Sequence, residues 1–179
     1  MFCPSNLDKL NTYYGMFAAT ARTQVTGIKL FPKRHAKETG NIDMGTKNKI
    51  PVLVVDDHAG FRRSVIHFLA SNARFQVVGE AANTREGLDL AARHHPQVVL
   101  LDIRMPEESG LAIIAKLRQR VPNLVIIVLT LWDTAEYREA ALVDNGADAY
   151  ITKENMIRDL LPALNRLLPE TSNGTSIAN

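Results

Sequence analysis

The sequence predicts an α/β domain built on a doubly wound, five-stranded parallel sheet with five helices. Between residues 50 and 168, short aliphatic or β-branched runs alternate with segments of helical periodicity. These runs lack the in-out alternation of a half-exposed strand, which is typical of parallel strands covered on both faces. Right-handed crossovers between such strands place helices on both sides of the sheet. The predicted strands are residues 52–55, 75–80, 98–101, 124–129 and 149–152.

Three of the segments between and after the strands show the spacing of helices that bury one face. Their apolar residues are Phe61, Val65, Phe68 and Leu69 in the first helix, Leu111, Ile114 and Leu117 in the third, and Ile157, Leu160, Leu161, Leu164 and Leu168 in the fifth. We therefore expect all of these side chains to pack against the sheet.

Local signals mark where helices start and stop. Asn83 and Asp133 each precede a Glu by three residues, as in a capping box, and predict helix starts there. Gly146 follows an Asn and predicts a left-handed stop before the last strand. Pro162 falls inside the fifth helix, where its missing amide predicts a kink or a helix start near Met156.

Composition divides the chain into three parts: a basic, poorly ordered leader (1–49), the α/β domain (50–168) and a flexible polar tail (169–179). The leader carries eight Lys and Arg against three Asp and Glu, whereas residues 50–179 carry 13 against 16. A single cysteine, Cys3, excludes an internal disulfide. No apolar run approaches the roughly 18 residues of a membrane span, and no secretory signal is recognisable. We expect a cytoplasmic protein that does not bind a membrane.

Polar residues that can carry chemistry follow four of the predicted strands. Asp56 and Asp57 follow the first strand, Asp102 the third, Thr130 the fourth and Lys153 the fifth. Parallel strands place their ligand site beyond their carboxyl ends, so these side chains can meet. Taken singly, an Asp pair is more often a turn or cap, and a Lys more often a solvated strand end. Together they predict a site for a divalent metal and a phosphoryl group.

These positions resemble the receiver domains of two-component response regulators, and the Asp56-Asp57-His58 turn resembles the nitrate-regulator and LuxR-type subfamily. Met105-Pro106 and Gly146-Ala147 also match that pattern. The resemblance implies a flavodoxin-like receiver fold with strand order 2-1-3-4-5. It also implies a phosphoprotein whose aspartyl phosphate passes on a signal, rather than an enzyme, although the protein would assist its own phosphorylation and dephosphorylation.

The resemblance assigns a role to each residue of the site. Asp102 would accept the phosphoryl group from a sensor histidine kinase. Asp57, Asp102 and the main-chain carbonyl of Arg104 would bind Mg²⁺, which takes oxygen ligands, and Asp56 would act mostly through water. Thr130 and Lys153 would bind the phosphoryl oxygens.

Four further residues are candidates for switching or for control of phosphoryl lifetime. Tyr150 matches the family's aromatic switch, although a simple packing role is the alternative. Leu131 stands where the family usually has Ala or Gly, a departure that bears on access to Asp102. Arg104 and Trp132 occupy positions that tune the lifetime of the acyl phosphate, and their size predicts a shielded, longer-lived species.

Output is expected through the face formed by the fourth helix, fifth strand and fifth helix, to an unknown protein or a second copy of the chain. Only eleven residues follow Leu168, too few for the DNA-binding output domain of LuxR-type regulators. The main alternative is a phosphorylation-independent pseudo-receiver that acts as an interaction module. A dehalogenase-like phosphatase would need a second acid where Arg104 stands.

Overall fold

The computed structural model describes residues 49–106, 109–121 and 123–169. The chain divides between residues 48 and 49, and the second unit contains all of the described elements. The predictions for the leader concern residues that, apart from Lys49, lie outside the described ones, and so do those for the tail beyond Pro169.

Five strands form a single parallel sheet in the order β2-β1-β3-β4-β5, which confirms the predicted topology. The strands are β1 (Ile50–Val55), β2 (Phe75–Ala81), β3 (Val98–Leu101), β4 (Val125–Thr130) and β5 (Ala149–Thr152). Because β1 and β3 pair in register up to Val55 and Leu101, the residues that follow them emerge side by side.

Five helices connect or follow the strands, as predicted. They are α1 (Ala59–Ala70), α2 (Thr84–His94), α3 (Gly110–Arg120), α4 (Ala135–Glu139) and α5 (Met156–Leu167). Helix α4 continues as a π-helical turn over Ala140–Asp144, and a 3₁₀ turn, Lys153–Asn155, precedes α5.

The core has two layers because successive strand residues point to opposite faces of the sheet. Leu53 and Val55 belong to a buried cluster that includes residues of α2 and α3 and Tyr150 of β5. Val52 and Val54 are equally buried and point to the other face. The buried residues of α1 and α5 lie outside that cluster and cover this second face.

Of the three predicted capping signals at helix ends, two are confirmed and one is wrong by a residue. The Asn83 side chain accepts from the Glu86 amide at 2.9 Å, and Gly146 has a φ of +72°. Asp133, however, does not cap α4. Thr134 takes that place and accepts from the Tyr137 amide at 3.4 Å, because a hydroxyl serves the same purpose one residue later.

Helix α5 starts at Met156, as Pro162 predicted, and Pro162 lies on its exposed side. The expectation that Ile157 packs against the sheet was wrong, because its side chain is 57% exposed. Met156 takes the inward place at the same helical phase as Leu160, since residues four apart share a face. No described helix is long and apolar enough to cross a bilayer.

Candidate functional site

Three carboxylates meet at the carboxyl edge of the sheet. Asp56 and Asp57 follow β1 directly and Asp102 follows β3, and each offers an oxygen within 4.8 Å of the others. Asp56 and Asp102 are buried, at 2% and 5% exposure, whereas Asp57 is exposed. The predicted convergence of these three residues is therefore confirmed as geometry.

Lys153 brings a buried ammonium group to the same place. Its Nζ lies 2.6 Å from Oδ2 of Asp56 and 2.6 Å from Oδ2 of Asp102, and its side chain is 2% exposed. The Phe61 ring of α1 lies beneath it, with the centroid 4.5 Å from Nζ. Two carboxylates and an aromatic face thus hold one cation in a place closed to solvent.

The pocket carries more negative charge than Lys153 neutralises. Burial raises the pKa of Asp56 to about 6, and nearby Asp102 adds to the rise while Lys153 opposes it. Burial also disfavours the charged form of Lys153, but Asp102 and Asp56 outweigh that effect and raise its pKa. The raised pKa of Lys153 keeps its ammonium protonated, whereas the raised pKa of Asp56 means that ionising its carboxylate in the pocket is unfavourable.

Backbone donors fix the two buried carboxylates. The amide of His58 donates to Oδ1 of Asp56 at 2.8 Å, and the amide of Arg104 donates to Oδ1 of Asp102 at 3.0 Å. The His58 imidazole caps α1 by accepting from the Phe61 amide through Nδ1 at 3.2 Å. Burial lowers the pKa of His58, which favours the neutral ring that this bond requires.

Helix α3 presses against the backbone of the Asp102 loop. The Gly110 amide donates to the carbonyl of Ile103 at 3.1 Å. A Cβ at Gly110 would overlap the carbonyl oxygen of Asp102 and stand 2.9 Å from Cα of Ile103. Only a residue without a side chain permits this approach, so Gly110 sets the position of the loop.

Thr130 and Tyr150 are joined through the backbone of Trp132. The Thr130 hydroxyl, fully buried at the end of β4, accepts from the Trp132 amide at 3.3 Å. The Tyr150 hydroxyl donates to the Trp132 carbonyl at 2.6 Å, and its side chain is buried on the same sheet face as β4 residue Val128. Burial raises the pKa of Tyr150 to about 12.

Arg104 links the Asp102 loop to α4. Its Nη1 donates to the Tyr137 hydroxyl at 2.8 Å, and its guanidinium lies 4.8 Å from the centre of the Trp132 ring. The rings of Trp132 and Tyr137 are tilted against each other at 6.3 Å. We call Arg104, Trp132 and Tyr137 the Arg104 cluster. Leu131, which follows Thr130 directly in the chain, is half-buried.

The acidic pocket suits a small, hard dication. Its donor set consists of carboxylate oxygens, which Mg²⁺ prefers, and the raised pKa of Asp56 reflects negative charge that a dication would offset. Asp57 offers an exposed carboxylate beside two buried ones, so the pocket is reachable from solvent. The residues therefore fit the metal that the sequence predicts.

A doubly wound domain with an acidic trio and a buried Lys at its strand ends has the architecture of a receiver domain. A family model described as the response regulator receiver domain matches residues 52–165. The chain belongs to this family, and the predicted resemblance is confirmed. Residues 52–165 are therefore the receiver domain of a two-component response regulator, a kind of domain that is generally not a catalytic enzyme. Phosphorylation and Mg²⁺ are typical of this family.

Relatives of known function include proteins named as response regulators. The chain is 34% identical over 123 residues to the nitrate/nitrite response regulator protein NarL of Escherichia coli, which covers 69% of this chain and 56% of NarL. It is 38% identical over 123 residues to the response regulator MprA of Mycolicibacterium vanbaalenii, covering 69% of this chain and 52% of MprA. The match thus spans about half the length of these relatives.

Solved structures agree with the fold. The receiver domain of the regulator NarL from Mycobacterium tuberculosis matches with a TM-score of 0.58 and 30% identity, over 64% of this chain and 94% of that one. A response regulator from Burkholderia pseudomallei, solved with a phosphorylated aspartic acid, a calcium ion and citrate, matches with a TM-score of 0.59 and 31% identity. That match covers 65% of this chain and 66% of that one.

The structure also shows residues around the site that the sequence did not point to. Phe61 lies under the Lys153 ammonium, Tyr137 binds Arg104, and Arg62 of α1 donates to the main-chain carbonyl of Asp56 at 2.7 Å. Phe61 was predicted only as a core residue. Nothing in the spacing of Arg62 or Tyr137 distinguishes either from a solvated helix residue.

Proposed function

We propose that the protein is a phospho-accepting response regulator whose Asp102 takes a phosphoryl group from a sensor histidine kinase. The observation that carries this proposal is the ammonium of Lys153, 2.6 Å from Asp102, inside a pocket that also gathers Asp56 and Asp57. This arrangement pairs a nucleophilic carboxylate with a fixed cation and an acidic metal site. Phosphoryl transfer depends mainly on positioning and on charge neutralisation, and the pocket supplies both.

In the proposed step, a carboxylate oxygen of Asp102 attacks the donor phosphorus. The bond between phosphorus and the donor imidazole nitrogen breaks, its electron pair stays on the imidazole, and an acyl phosphate forms. The amide of Arg104 already holds the other carboxylate oxygen, which leaves Oδ2 beside Lys153 as the attacking atom. Lys153 would then balance charge on the transferred group, and the Thr130 hydroxyl would turn to it from the Trp132 amide.

Mg²⁺ would be held by Asp57, Asp102 and the main-chain carbonyl of Arg104, with Asp56 acting through water. When bound, the metal supplies positive charge to the phosphoryl oxygens and offsets the repulsion among the three carboxylates. With Mg²⁺ bound, Asp56 would still accept the hydrogen bond from the His58 amide and would still hold the Lys153 ammonium in place.

The test is phosphorylation by acetyl phosphate, with and without Mg²⁺, followed by intact mass. We expect Mg²⁺-dependent addition of one phosphoryl group, lost in Asp102→Asn and kept in Asp89→Asn, which alters an exposed carboxylate of α2. Labelling that persists in Asp102→Asn would contradict the proposal. The absence of labelling with acetyl phosphate and with any kinase would favour the pseudo-receiver.

We also propose that the Arg104 cluster shields the acyl phosphate. Arg104 donates to the Tyr137 hydroxyl and lies over the Trp132 ring, and Leu131, directly after Thr130, is half-buried. These large side chains would restrict the approach of water to Asp102. A long-lived phosphoprotein is expected, and Arg104→Ala should shorten its lifetime. Decay of the wild-type acyl phosphate within seconds would refute the shielding role.

Output would pass through the face formed by α4, β5 and α5, towards a protein partner or a second copy of the chain. Tyr150 connects this face to the site, because its hydroxyl binds the Trp132 carbonyl two residues after Thr130. The face carries a groove of about 440 Å³, lined among others by Leu142 of the π-helical turn that continues α4, Ile151 of β5 and Pro162 of α5. If this is the output surface, phosphorylation should change amide exchange in α4 and β5, and the exchange pattern of Asp102→Asn should not respond.

A further inference from the structure

Arg62 joins three parts of the fold beside the acidic pocket. Its Nη1 donates to the main-chain carbonyl of Asp56 at 2.7 Å, and its Nε donates to Oε2 of Glu80 in β2 at 3.2 Å. The Arg62 side chain is only 13% exposed. A guanidinium can make both bonds at once because its donors form a rigid, planar fork.

The carbonyl that Arg62 binds belongs to the peptide between Asp56 and Asp57. Strand β1 ends at Val55, so this carbonyl lies beyond the ladder and needs a donor from elsewhere. The peptide is planar, and a bond to its oxygen therefore restrains the direction in which the chain continues to Asp57. The Asp56 carboxylate is already held by Lys153 and the His58 amide.

Asp57 differs from Asp56 because its side chain is exposed. Its carboxylate is nevertheless one of the three oxygen donors that converge within 4.8 Å. The direction of this exposed side chain depends on the peptide that precedes it, and Arg62 holds that peptide from the α1 side.

We propose that Arg62 is a positioning residue for the cation site, and that it keeps the Asp57 carboxylate in place by holding the Asp56–Asp57 peptide. This inference rests on the proposed function, since it assigns a role towards the Mg²⁺ of that site. If Arg62 acted only through its charge, its removal should strengthen Mg²⁺ binding, because a nearby positive charge repels a dication. If Arg62 positions Asp57, its removal should weaken Mg²⁺ binding. The two accounts are therefore separable by experiment.

The test measures Mg²⁺ affinity through the fluorescence of Trp132, the one tryptophan of the chain, which lies against Arg104 at the site. Loss of a residue that orients a metal ligand costs about 10- to 100-fold in affinity, so Arg62→Met should raise the Mg²⁺ Kd by that factor. In Arg62→Met, the Mg²⁺ concentration that gives half of the maximal phosphorylation rate should rise. The maximal rate itself, measured at saturating Mg²⁺, should change much less. Arg63→Met, which alters the exposed neighbour on α1, is the matched control and should bind like wild type.

Arg62→Lys keeps the charge but lacks the fork and should also bind Mg²⁺ more weakly, by a smaller factor. The proposal would be overturned if the Mg²⁺ Kd of Arg62→Met falls or rises by less than about twofold. Removal of a residue that orients a metal ligand lowers metal affinity by more than that. If Arg62→Met does not fold, wild-type affinity in Arg62→Lys overturns it instead. Failure of the wild type to bind Mg²⁺ at all would refute the proposed function, which is a distinct outcome.

Discussion

Replacement of Gly110 by Ala tests how tightly α3 fixes the loop that carries Asp102. The added Cβ would stand 2.9 Å from Cα of Ile103 and 3.0 Å from the carbonyl carbon of Asp102, and it would overlap the Asp102 carbonyl oxygen. Carbon atoms in contact normally lie about 3.5–4.0 Å apart. All three obstructing atoms belong to the backbone, so either the loop or the helix must move by roughly 0.5–1 Å.

The size of the effect follows from two contributions. Overpacking of a well-packed site costs about 1–3 kcal/mol. Separation of the Gly110 amide from the Ile103 carbonyl, now 3.1 Å apart, removes a hydrogen bond worth about 1 kcal/mol. Ala is the better helix former by about 1 kcal/mol, which offsets part of this loss. The free energy of unfolding should therefore fall by about 1–3 kcal/mol in total.

Urea denaturation of Gly110→Ala measures this loss, and Gly60→Ala is the matched control. Gly60 is half-buried in the first turn of α1, and its replacement should leave stability unchanged or raised. Phosphorylation of Asp102 should slow markedly in Gly110→Ala, because a misplacement of about 1 Å can cost 100-fold in rate. A Gly110→Ala protein as stable as wild type would refute the argument from close approach.

Three further predictions concern single buried groups. The Thr152 hydroxyl is buried without a hydrogen-bond partner among the described residues. Thr152→Val should therefore raise the free energy of unfolding by about 1 kcal/mol and the melting temperature by about 4 °C. A variant less stable than wild type would contradict this, because it would show that the hydroxyl makes a hydrogen bond. Burial raises the pKa of Tyr150 to about 12, so stability should decline as the pH rises from about 10 towards 12. In Tyr150→Phe, the most alkaline step of the phenolate absorbance should disappear, whereas a persistent step would assign it to another tyrosine. Because the folded-state pKa of Asp56 is raised to about 6, its carboxylate destabilises the metal-free protein increasingly from about pH 4 to 6 and fully above that. Asp56→Asn should then be more stable than wild type by about 1–3 kcal/mol at pH 7 without Mg²⁺, and equal stability there would contradict the burial argument.

The sheet could be predicted from the sequence because the period of apolar residues is the main determinant of its strands. All five predicted strands begin and end within two residues of the observed strands, and β3 and β5 agree fully. Helix details were less accessible. Ile157 and Met156 are adjacent apolar residues, and the sequence pattern allows either of them to face the sheet. The 3₁₀ turn after β5 sets where α5 begins and so turns Met156 inward.

The polar centre of the site was predictable because its residues follow strand ends that one sheet edge brings together. Asp56, Asp57, Asp102 and Lys153 meet as the pattern indicated. Arg62 was not predictable, since its partner is a main-chain carbonyl that has no signature in the sequence. The binding and switching roles of the individual residues remain predictions, which the labelling and Mg²⁺ experiments address.

Helix α4 is the least anchored of the five helices in the described part of the chain. Its regular turns bury no residue, and its π-helical continuation buries only Ala141, whereas every other helix buries three or more. Local opening requires little energy where few apolar side chains leave water. The hydrogen-exchange protection of α4 should accordingly be the weakest among α1 to α5, and a modest change at the Arg104 contact would be enough to displace it.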